Sequence, residues 1–565
     1  MCGIAGVLGA DGSARPLIGA LAHRGPDGIR VEGGDHRSLA HARLSIIDLQ
    51  RGWQPLHAAG ATVVGNGEIY NYLELAAEFG LGDQLATGSD FEPLLHLYAR
   101  EGPAAFSRLR GMYAFCLLGG DGRAWLVRDP FGIKPLYIIE RDGGVAFASE
   151  PRAFLQAGWL APELDTARAR DLLGLNYVLG EDSIFRGVRR LAPGEIVEVV
   201  EGKLISQGRR RPLSSHVPKR TGEEKDLIAR LDAVLEDSVR VHQRSDVPYG
   251  LFLSGGIDSA AVATLMARLN ARPVTAFTCG FDAPGARDER AQAERVAEAL
   301  QLDWRETRFG EEDFWRVLPQ AAWALDDPTA DYAILPTWKL AEAAKDTLTV
   351  VLTGEGGDEL FGGYGRYRRA LRPAWLGGRP AEPRPGDPAV LAAWRKTARA
   401  PGGLTRLQAA QAADVATWLP HDLLLKLDRC LMAHGLEGRT PFLDAAVADF
   451  AFPLPDRFKV RGRYGKWLLR AWLERACPAA RPWARKQGFT VPVEAWIAPR
   501  AQDLGPRIAR VAAVRQVCAP GDVEAAFADP ASPRRWPLLF FALWSLIHLE
   551  GADPASALAA VAGTV

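Results

Sequence analysis

Side chains able to do chemistry stand at the start of this 565-residue chain, in the stretch MCGIAGVLG. Cys2 would become the first residue if the initiator methionine were removed. Its thiol would then lie beside a free α-amine, whose pKa of about 7.7–8.0 suits a general base near neutral pH. A buried structural cysteine is the alternative, because free cysteine is among the most buried residue types.

A glycine- and serine-rich loop follows an apolar run in LFLSGGIDSAAVATLM. The pattern predicts a strand that turns into a helix, with backbone N–H groups and the hydroxyls of Ser254 and Ser259 directed at a phosphate. The loop lacks the G-K-[ST] ending of a Walker A loop. Asp258 puts a carboxylate beside the phosphates, which favours a Mg²⁺ ion between them. A plain strand-to-helix turn with an Asp or Ser cap is the alternative.

A second acidic loop follows another apolar run in VVLTGEGGDELFGGY. Glu355, Asp358 and Glu359 stand there among five glycines, which suits a metal ligand and a general base at the end of a strand. The carboxyl ends of neighbouring parallel strands face one crevice, so we expect this loop to meet Asp258. A solvated acidic turn is the alternative.

The sequence patterns predict two domains of different fold class that position these loops. Residues 1–205 alternate short β-like runs with amphipathic helical pieces, which predicts an α+β domain. Residues 206–225 are polar, charged and rich in proline and serine, and we place a linker there. Residues 226–565 open with a long amphipathic helix and then alternate strand and helix, which predicts an α/β domain with a parallel sheet and a helical part beyond about residue 390.

Composition excludes several classes of function. Lys plus Arg and Asp plus Glu both number 68, so no basic footprint for nucleic acid is present. The six cysteines include no C-x-x-C pair, which argues against a zinc site and a disulfide framework and favours a reducing, cytoplasmic setting. The longest apolar run, PLLFFALWSLIHL, is shorter than the roughly 20 residues that a bilayer crossing needs, and we expect a core helix and no membrane partner.

At these motifs the chain resembles the glutamine-dependent asparagine synthetase family over nearly its whole length. CGI, HRGPD, HARLSIID, NGEIYN and GSDFE are similar to the class II glutamine amidotransferase domain, which has the four-layer αββα fold of N-terminal nucleophile hydrolases. SGGIDS and LTGEGGDELFGGY resemble the ATP pyrophosphatase motifs of the synthetase domain. DRCLMAHGLEGRTPFLD and RKQGFTVPVEAW are similar to later signatures of the family.

For the first domain, the resemblance implies that Cys2 attacks the side-chain amide of glutamine with its own amine as base, so that a glutamyl thioester forms and ammonia leaves. Asn66 and the backbone N–H of Gly67 would stabilise the tetrahedral oxyanion. The glutamine itself would be bound by charged groups of opposite sign. Arg43 would hold its α-carboxylate, and Glu68 and Asp90, with Asn66 beside them, would hold its α-ammonium end.

For the second domain, the resemblance implies that ATP activates a carboxylate as an acyl-adenylate, which ammonia then converts to an amide. Glu355 would be the base for ammonia, Lys486 would stabilise charge at the phosphate, and Asp258 and Asp358 would hold Mg²⁺. The expected ATP-binding residues are Leu253, Ser254, Gly256, Asp258, Ser259, Thr278, Thr353 and Gly354. The family also admits a homodimer.

Aspartate is the leading acceptor, but the segment LDDPTADYAILPT departs from the family pattern, with Ala333 where a hydroxyl residue often occurs. A related amidotransferase for another carboxylate, such as a surface-polysaccharide sugar acid, is the second hypothesis. A non-catalytic nitrogen-sensing paralogue and a tRNA-modifying enzyme are the others; intact motifs oppose the first and neutral charge opposes the second. We also expect the two domains to dock firmly around an apolar path for ammonia.

Overall fold

The strand-rich part of the chain forms two six-stranded sheets. The computed structural model describes residues 2–34, 36–213, 222–282, 289–485 and 491–563. The strands of the first sheet are β1 (Gly3–Leu8), β2 (Gly28–Gly34), β3 (Arg37–Arg43), β8 (Tyr137–Arg141), β9 (Gly144–Ala148) and β10 (Arg189–Arg190). The strands of the second sheet are β4 (Leu56–Ala58), β5 (Ala61–Ile69), β6 (Gly111–Leu118), β7 (Ala124–Arg128), β11 (Glu195–Val200) and β12 (Lys203–Arg209).

Helices cover the outer face of each sheet. They are α1 (Arg15–Gly19), α2 (Tyr72–Glu78), α3 (Glu92–Glu101), α4 (Arg152–Gln156) and α5 (Thr166–Leu175). One apolar layer joins the two sheets, with Ile4 and Phe147 from one and Val64 and Leu126 from the other. Alternate residues of the strands face the helices instead, as the two-residue period of a strand requires. The predicted αββα layering is confirmed.

A five-stranded parallel sheet, in the order β15-β14-β13-β16-β17, carries the second part. Its strands are β13 (Tyr249–Phe252), β14 (Thr275–Phe281), β15 (Asp303–Phe309), β16 (Val350–Leu352) and β17 (Glu437–Arg439). Ala276 and Phe277, successive residues of β14, pack into different apolar clusters, so both faces of the sheet are covered. The predicted parallel α/β sheet is confirmed.

Helices surround this sheet and dominate the chain after it. Up to β17 they are α6 (Glu224–His242), α7 (Ile257–Leu269), α8 (Arg290–Ala299), α9 (Glu311–Ala324), α10 (Ile334–Ala344), α11 (Gly357–Phe361), α12 (Gly365–Leu371), α13 (Pro388–Thr397), α14 (Arg406–Ala416) and α15 (Leu424–Met432). A small hairpin of β18 (Val460–Arg461) and β19 (Tyr464–Gly465) follows. The later helices are α16 (Ala445–Ala451), α17 (Asp456–Lys459), α18 (Trp467–Ala476), α19 (Val493–Ile497), α20 (Ala501–Ile508), α21 (Ala512–Arg515), α22 (Pro520–Ala528), α23 (Arg535–His548) and α24 (Pro554–Ala562).

The C-terminal apolar run and the predicted linker can be compared with the observed helices and strands. The apolar run near the C-terminus forms α23, a buried helix, as expected, and none of the helices described is long and apolar enough to span a bilayer. The linker predicted at 206–225 differs from the structure at both ends. Residues 206–209 lie in β12, paired with β11, and α6 already begins at Glu224; residues 214–221 lie outside the described part.

Candidate active sites

Cys2 lies just before β1, half-buried at the edge of a small cavity in the first domain. Its backbone N–H donates to Asn66 Oδ1 at 3.1 Å, and its Sγ lies 3.8 Å from the carbonyl oxygen of Leu44. Burial raises the pKa of the thiol, because the thiolate loses solvation. The resting group is therefore a neutral thiol, and an attack by its sulfur requires a base to take the proton.

Asn66 and Gly67 lie next to this thiol on β5. Asn66 is wholly buried; its Oδ1 is used by Cys2, and its Nδ2 has no hydrogen-bond partner among the described residues. Gly67 has φ of 129°, and a Cβ there would stand 1.9 Å from the carbonyl oxygen of Met112, so only glycine fits. A buried, unpaired amide donor costs free energy unless a ligand uses it. Asn66 Nδ2 thus supplies a preformed donor beside the sulfur.

A cation and two acids complete the lining of the cavity. The guanidinium of Arg43 donates to the carbonyl oxygens of Asp48 at 2.6 Å and Leu49 at 3.2 Å. Glu68 and Asp90 are buried, and Asp90 Oδ2 accepts from the backbone N–H of Ile69 at 2.7 Å.

Burial raises the pKa of Glu68 and of Asp90, and the charge of Asp90 adds to the rise at Glu68. Two buried carboxylates that repel each other gain from an incoming cation. With Arg43 in the same cavity, the charges are complementary to a free α-amino acid, which carries an α-carboxylate and an α-ammonium.

Two residues near this cavity received no role from the sequence. His41 is buried on β3 with neither ring nitrogen hydrogen-bonded to a described residue, and burial together with the neighbouring Arg43 lowers the pKa of His41 to about 3. Arg439 comes from β17 of the second domain, and its Nη2 lies 3.3 Å from Glu68 Oε1. The second domain therefore contributes a charge to the first site, which a local motif search could not detect.

In the second domain, the SGGIDS loop connects β13 to α7 as predicted. Its two serines fix its shape: Ser254 Oγ and Ser259 Oγ are 2.9 Å apart, and the N–H of Gly256 donates to Ser254 Oγ at 3.1 Å. The N–H of Ser254 donates to Ser259 Oγ at 3.1 Å. These bonds fix the loop at the N-terminus of a thirteen-residue helix, where the helix dipole favours an anion.

The acidic loop between β16 and α11 faces the SGGIDS loop, and the expectation of a shared crevice is confirmed. Lys466 lies between the two loops: its Nζ contacts a carboxylate oxygen of Asp258 and is 2.6 Å from Asp358 Oδ1. A Cβ on Gly354 would stand 2.9 Å from the Cβ of Asp258, so the close approach of the loops requires glycine there.

The carboxylates of Asp258 and Asp358 reach one point, the place of Lys466 Nζ. No group of three metal-ligating side chains occurs among the described residues. Two carboxylates fit Mg²⁺, which typically takes one or two protein carboxylates together with substrate phosphates and water. Such an ion would stand between the phosphates and these acids.

A cavity of about 710 Å³ opens between the loops. Its lining includes all eight expected ATP-binding residues, together with Glu355, Asp358, Ala333 and Lys426. The hydroxyl of Thr278 donates to the carbonyl oxygen of Leu253 at 2.7 Å, which fixes both residues at the cavity wall.

Glu355 and Lys426 also line the cavity. Burial raises the pKa of Glu355, and the charge of Lys426 opposes that rise. Lys426 Nζ is 3.0 Å from Asp331 Oδ2, so a cation and an acid again lie side by side. Lys486, expected at the phosphate, lies outside the described residues; Lys466, which the sequence analysis did not single out, is the lysine seen at the two loops.

The interface between the two domains contains buried charged groups in addition to the apolar ones expected from sequence. Arg24 donates to Glu150 at 2.7 Å and to Asp428 at 2.8 and 3.1 Å, and Arg429 donates to Asp326 at 3.0 Å. All five side chains are buried. Burial is tolerated because each charge has a partner of opposite sign, and one apolar cluster extends across both domains beside the network. The domains are docked, but by charged groups as well as apolar ones.

Comparison with known proteins agrees with this division. The asparagine synthase family matches residues 230–546, and the glutamine amidotransferase domain family matches residues 1–209. A Mycobacterium tuberculosis protein provisionally named glutamine-hydrolysing asparagine synthetase is 34% identical over 97% of this chain and 96% of its own. Glutamine-hydrolysing asparagine synthetase 1 of Bacillus subtilis is 31% identical over 97% of each chain. Asparagine synthetase B of Escherichia coli, also named glutamine-hydrolysing, is 30% identical over 84% of this chain and 78% of its own.

Proposed function

The chain belongs to the asparagine synthase family, and from this premise we propose that it is an ATP-dependent ligase that makes asparagine from aspartate with glutamine as the nitrogen donor. The observation that carries the proposal is the pairing of two complementary sites in one chain. The first site has a thiol beside one cation and two acids, which are complementary to a free α-amino acid. The second has the SGGIDS loop and the acidic loop around a cavity of about 710 Å³.

At the first site, we assign the α-amine of Cys2, exposed by removal of the initiator methionine, as the base. It takes the thiol proton as Sγ bonds to the amide carbon of glutamine, and Asn66 Nδ2 and the N–H of Gly67 receive the developing oxyanion. The proton then goes to the leaving nitrogen, the C–N bond breaks, and ammonia departs. Water hydrolyses the thioester and releases glutamate. Arg43 holds the α-carboxylate of glutamine, and Glu68 and Asp90 hold its α-ammonium.

At the second site, an oxygen of the aspartate β-carboxylate bonds to the α-phosphorus of ATP, and pyrophosphate leaves. We assign Ser254, Gly256 and Ser259 to phosphate binding, in which phosphate oxygens would take over N–H and hydroxyl donors that now bond within the loop. Mg²⁺, held by Asp258 and Asp358, neutralises phosphate charge when bound.

Ammonia then attacks the acyl carbon, AMP leaves, and Glu355 takes the proton from the attacking nitrogen. The raised pKa of Glu355 suits this task, because a base whose pKa lies nearer the operating pH accepts and returns a proton more readily. We assign the balancing of negative charge at the phosphates to Lys486, as the resemblance implies, and to Lys466, whose contact with Asp258 supports a position beside the phosphate loop.

The proposal is tested by supplying the purified chain with ATP, Mg²⁺, glutamine and a panel of carboxylic acids. We expect asparagine by mass spectrometry when aspartate is present, together with one AMP and one pyrophosphate per product. Formation of ADP and phosphate, or no amide from any acid, would contradict it.

The six cysteines are all unpaired thiols, which is compatible with a reaction in the cytoplasm.

A second acceptor class is favoured by one observation. Ala333 lines the cavity, where a small apolar side chain leaves more space than a hydroxyl residue and offers no hydrogen bond. A larger carboxylate, such as a sugar acid, would use that space. The acid panel decides between the two, because the acceptor with the highest kcat/KM identifies the substrate.

A further inference from the structure

A lysine without exposed surface lies behind the acidic loop. Lys459 ends α17, and its Nζ donates to Gln411 Oε1 and to the carbonyl oxygen of Phe452, both at 2.8 Å. Both acceptors are neutral oxygens. Burial lowers the pKa of Lys459 to about 7, and the charge of Asp456 opposes that shift. Burying an ammonium against neutral partners is costly, so its contacts call for an explanation beyond packing.

The lysine fixes which way Gln411 points. In its ammonium form Lys459 donates and cannot accept, so it selects the orientation in which Gln411 turns its Oε1 toward Nζ, as the structure shows. The amide nitrogen then faces the other way and donates to the carbonyl oxygens of Glu359 at 2.5 Å and Leu360 at 2.8 Å. Gln411 is itself wholly buried on α14, so no water competes for this amide. The orientation of one side chain thus determines two hydrogen bonds to the acidic loop.

Those two carbonyls belong to α11, the five-residue helix that carries Asp358. The last four carbonyls of a helix have no partner within it, and in a helix this short they are most of its acceptors. Gln411 supplies the missing donor to two of them. On the opposite side, Lys466 contacts the carboxylates of Asp258 and Asp358, and the β18–β19 hairpin connects Lys459 to Lys466.

We propose that Lys459 and Gln411 are positioning residues for the adenylation reaction: they hold α11 from behind so that Asp358 and the preceding Glu355 point into the ATP cavity. The inference rests on the proposed synthetase function and adds to it two residues that do not line the cavity. Neither side chain touches a reactant, so each acts only through the position of α11. Their loss should weaken the use of Mg·ATP and leave the thiol site of the other domain unchanged.

Gln411→Glu is the sharpest test, because it changes one NH₂ group to an oxygen. The new carboxylate still accepts from Lys459, now as an ion pair, but it cannot donate to the carbonyls of Glu359 and Leu360. In synthesis from ammonium salts, we expect the KM for ATP to rise about tenfold. Glutaminase kcat/KM should stay within twofold of wild type, because the change acts on α11 of the second domain. The matched control is Gln516→Glu, the same change at an exposed residue, with no expected effect.

Lys459→Met provides a second route to the same result. The methionine fills similar space and releases Gln411 from its fixed orientation, so the KM for ATP should rise as well. A wild-type chain that makes no amide with ATP overturns the proposed function itself. An active wild type whose KM for ATP changes less than twofold in both variants overturns the positioning role. A parallel loss of glutaminase activity and thermal stability in Gln411→Glu also overturns it, since the residue would then support the fold in general.

Discussion

Both sites contain two carboxylates, but the counter-charges differ. In the first domain, Glu68 and Asp90 are buried. The contacting cation, Arg439 of the other domain, lies 3.3 Å from Glu68 and opposes the rise in pKa that burial causes at both acids, but it does not cancel that rise. In the second domain, Lys466 contacts both Asp258 and Asp358. The net rise in the pKa of both acids means that this pair still gains from a further cation, and the α-ammonium of glutamine is the one that we propose.

The second pair has a lysine in place before any ligand arrives. Lys466 thus neutralises part of the charge of Asp258 and Asp358, the two acids that would hold Mg²⁺ in the proposed reaction. The cavities differ in the same sense: the first is a small pocket around a thiol, and the second is wide enough for a nucleotide and an acid. This difference is the basis for proposing a small zwitterion at the first site and a nucleotide with its metal at the second. If the two sites are separable, a change at one of them leaves the activity of the other intact.

The largest effect is expected from Cys2→Ala. Synthesis with glutamine should fall by on the order of 10³-fold or more, because the nucleophile is lost. Synthesis from ammonium salts should remain within about twofold of wild type, since the thiol has no part in adenylation. Cys518→Ala, which removes a half-buried thiol away from both cavities, is the control. Equal loss of both activities in Cys2→Ala would show that the sites are not separable.

The next effect concerns Asp358→Asn. Removing one of two carboxylates for Mg²⁺ should lower kcat/KM for ATP by about 100-fold, while glutaminase activity stays measurable. Asp346→Asn, an exposed position after α10, is the matched control. Steady-state kinetics with ammonium as the donor give the first value, and glutamate release gives the second. A variant with normal ATP use would remove Asp358 from the metal site.

The smallest effect is a pH dependence of glutamine binding. Burial raises the pKa of Asp90 to about 7, so in the free protein this acid is largely protonated below pH 7 and ionised above it. The α-ammonium of glutamine needs the ionised form, so affinity should rise about tenfold between pH 6 and pH 7.5. Calorimetry with Cys2→Ala separates binding from turnover.

Adding Asp90→Asn to that variant should weaken binding and flatten its dependence on pH. Adding Asp121→Asn, an exposed change outside the cavity lining, should leave the dependence unchanged. If affinity stays constant with pH while Asp90 is intact, the ligand does not use this acid in the way proposed.

Much of the second site could be predicted because its signals are local. An apolar strand, a glycine-rich turn and a helix start within SGGIDS determine where Ser254 and Asp258 lie, and parallel strands bring the acidic loop to the same edge. Lys466 could not be predicted in this way. It stands 208 residues from Asp258 along the chain, and the sequence YGKW around it has no pattern that marks a ligand contact.

The charged pairs between the two domains could not be predicted from local sequence patterns either. Arg24 and Asp428 are 404 residues apart, and an isolated arginine or aspartate in sequence indicates an exposed side chain far more often than a buried pair. The expectation of a docked interface with buried apolar side chains is confirmed by the apolar cluster that extends across both domains, whereas the charged network beside it was not predicted. The αββα layers and the parallel sheet were accessible because period-two and period-3.6 patterns report burial directly.

The central claim is that ammonia released at the thiol site reaches the ATP site without entering the solvent. Isotope competition tests it most directly. The reaction is run with ¹⁵N-amide glutamine in excess unlabelled ammonium, at a pH where ammonium alone is a poor donor, and the amide product is analysed by mass spectrometry. Transfer inside the docked chain predicts a product that carries mostly ¹⁵N, because the released ammonia does not mix with the solvent. A product with label diluted to the level of the bulk ammonium pool would contradict the account.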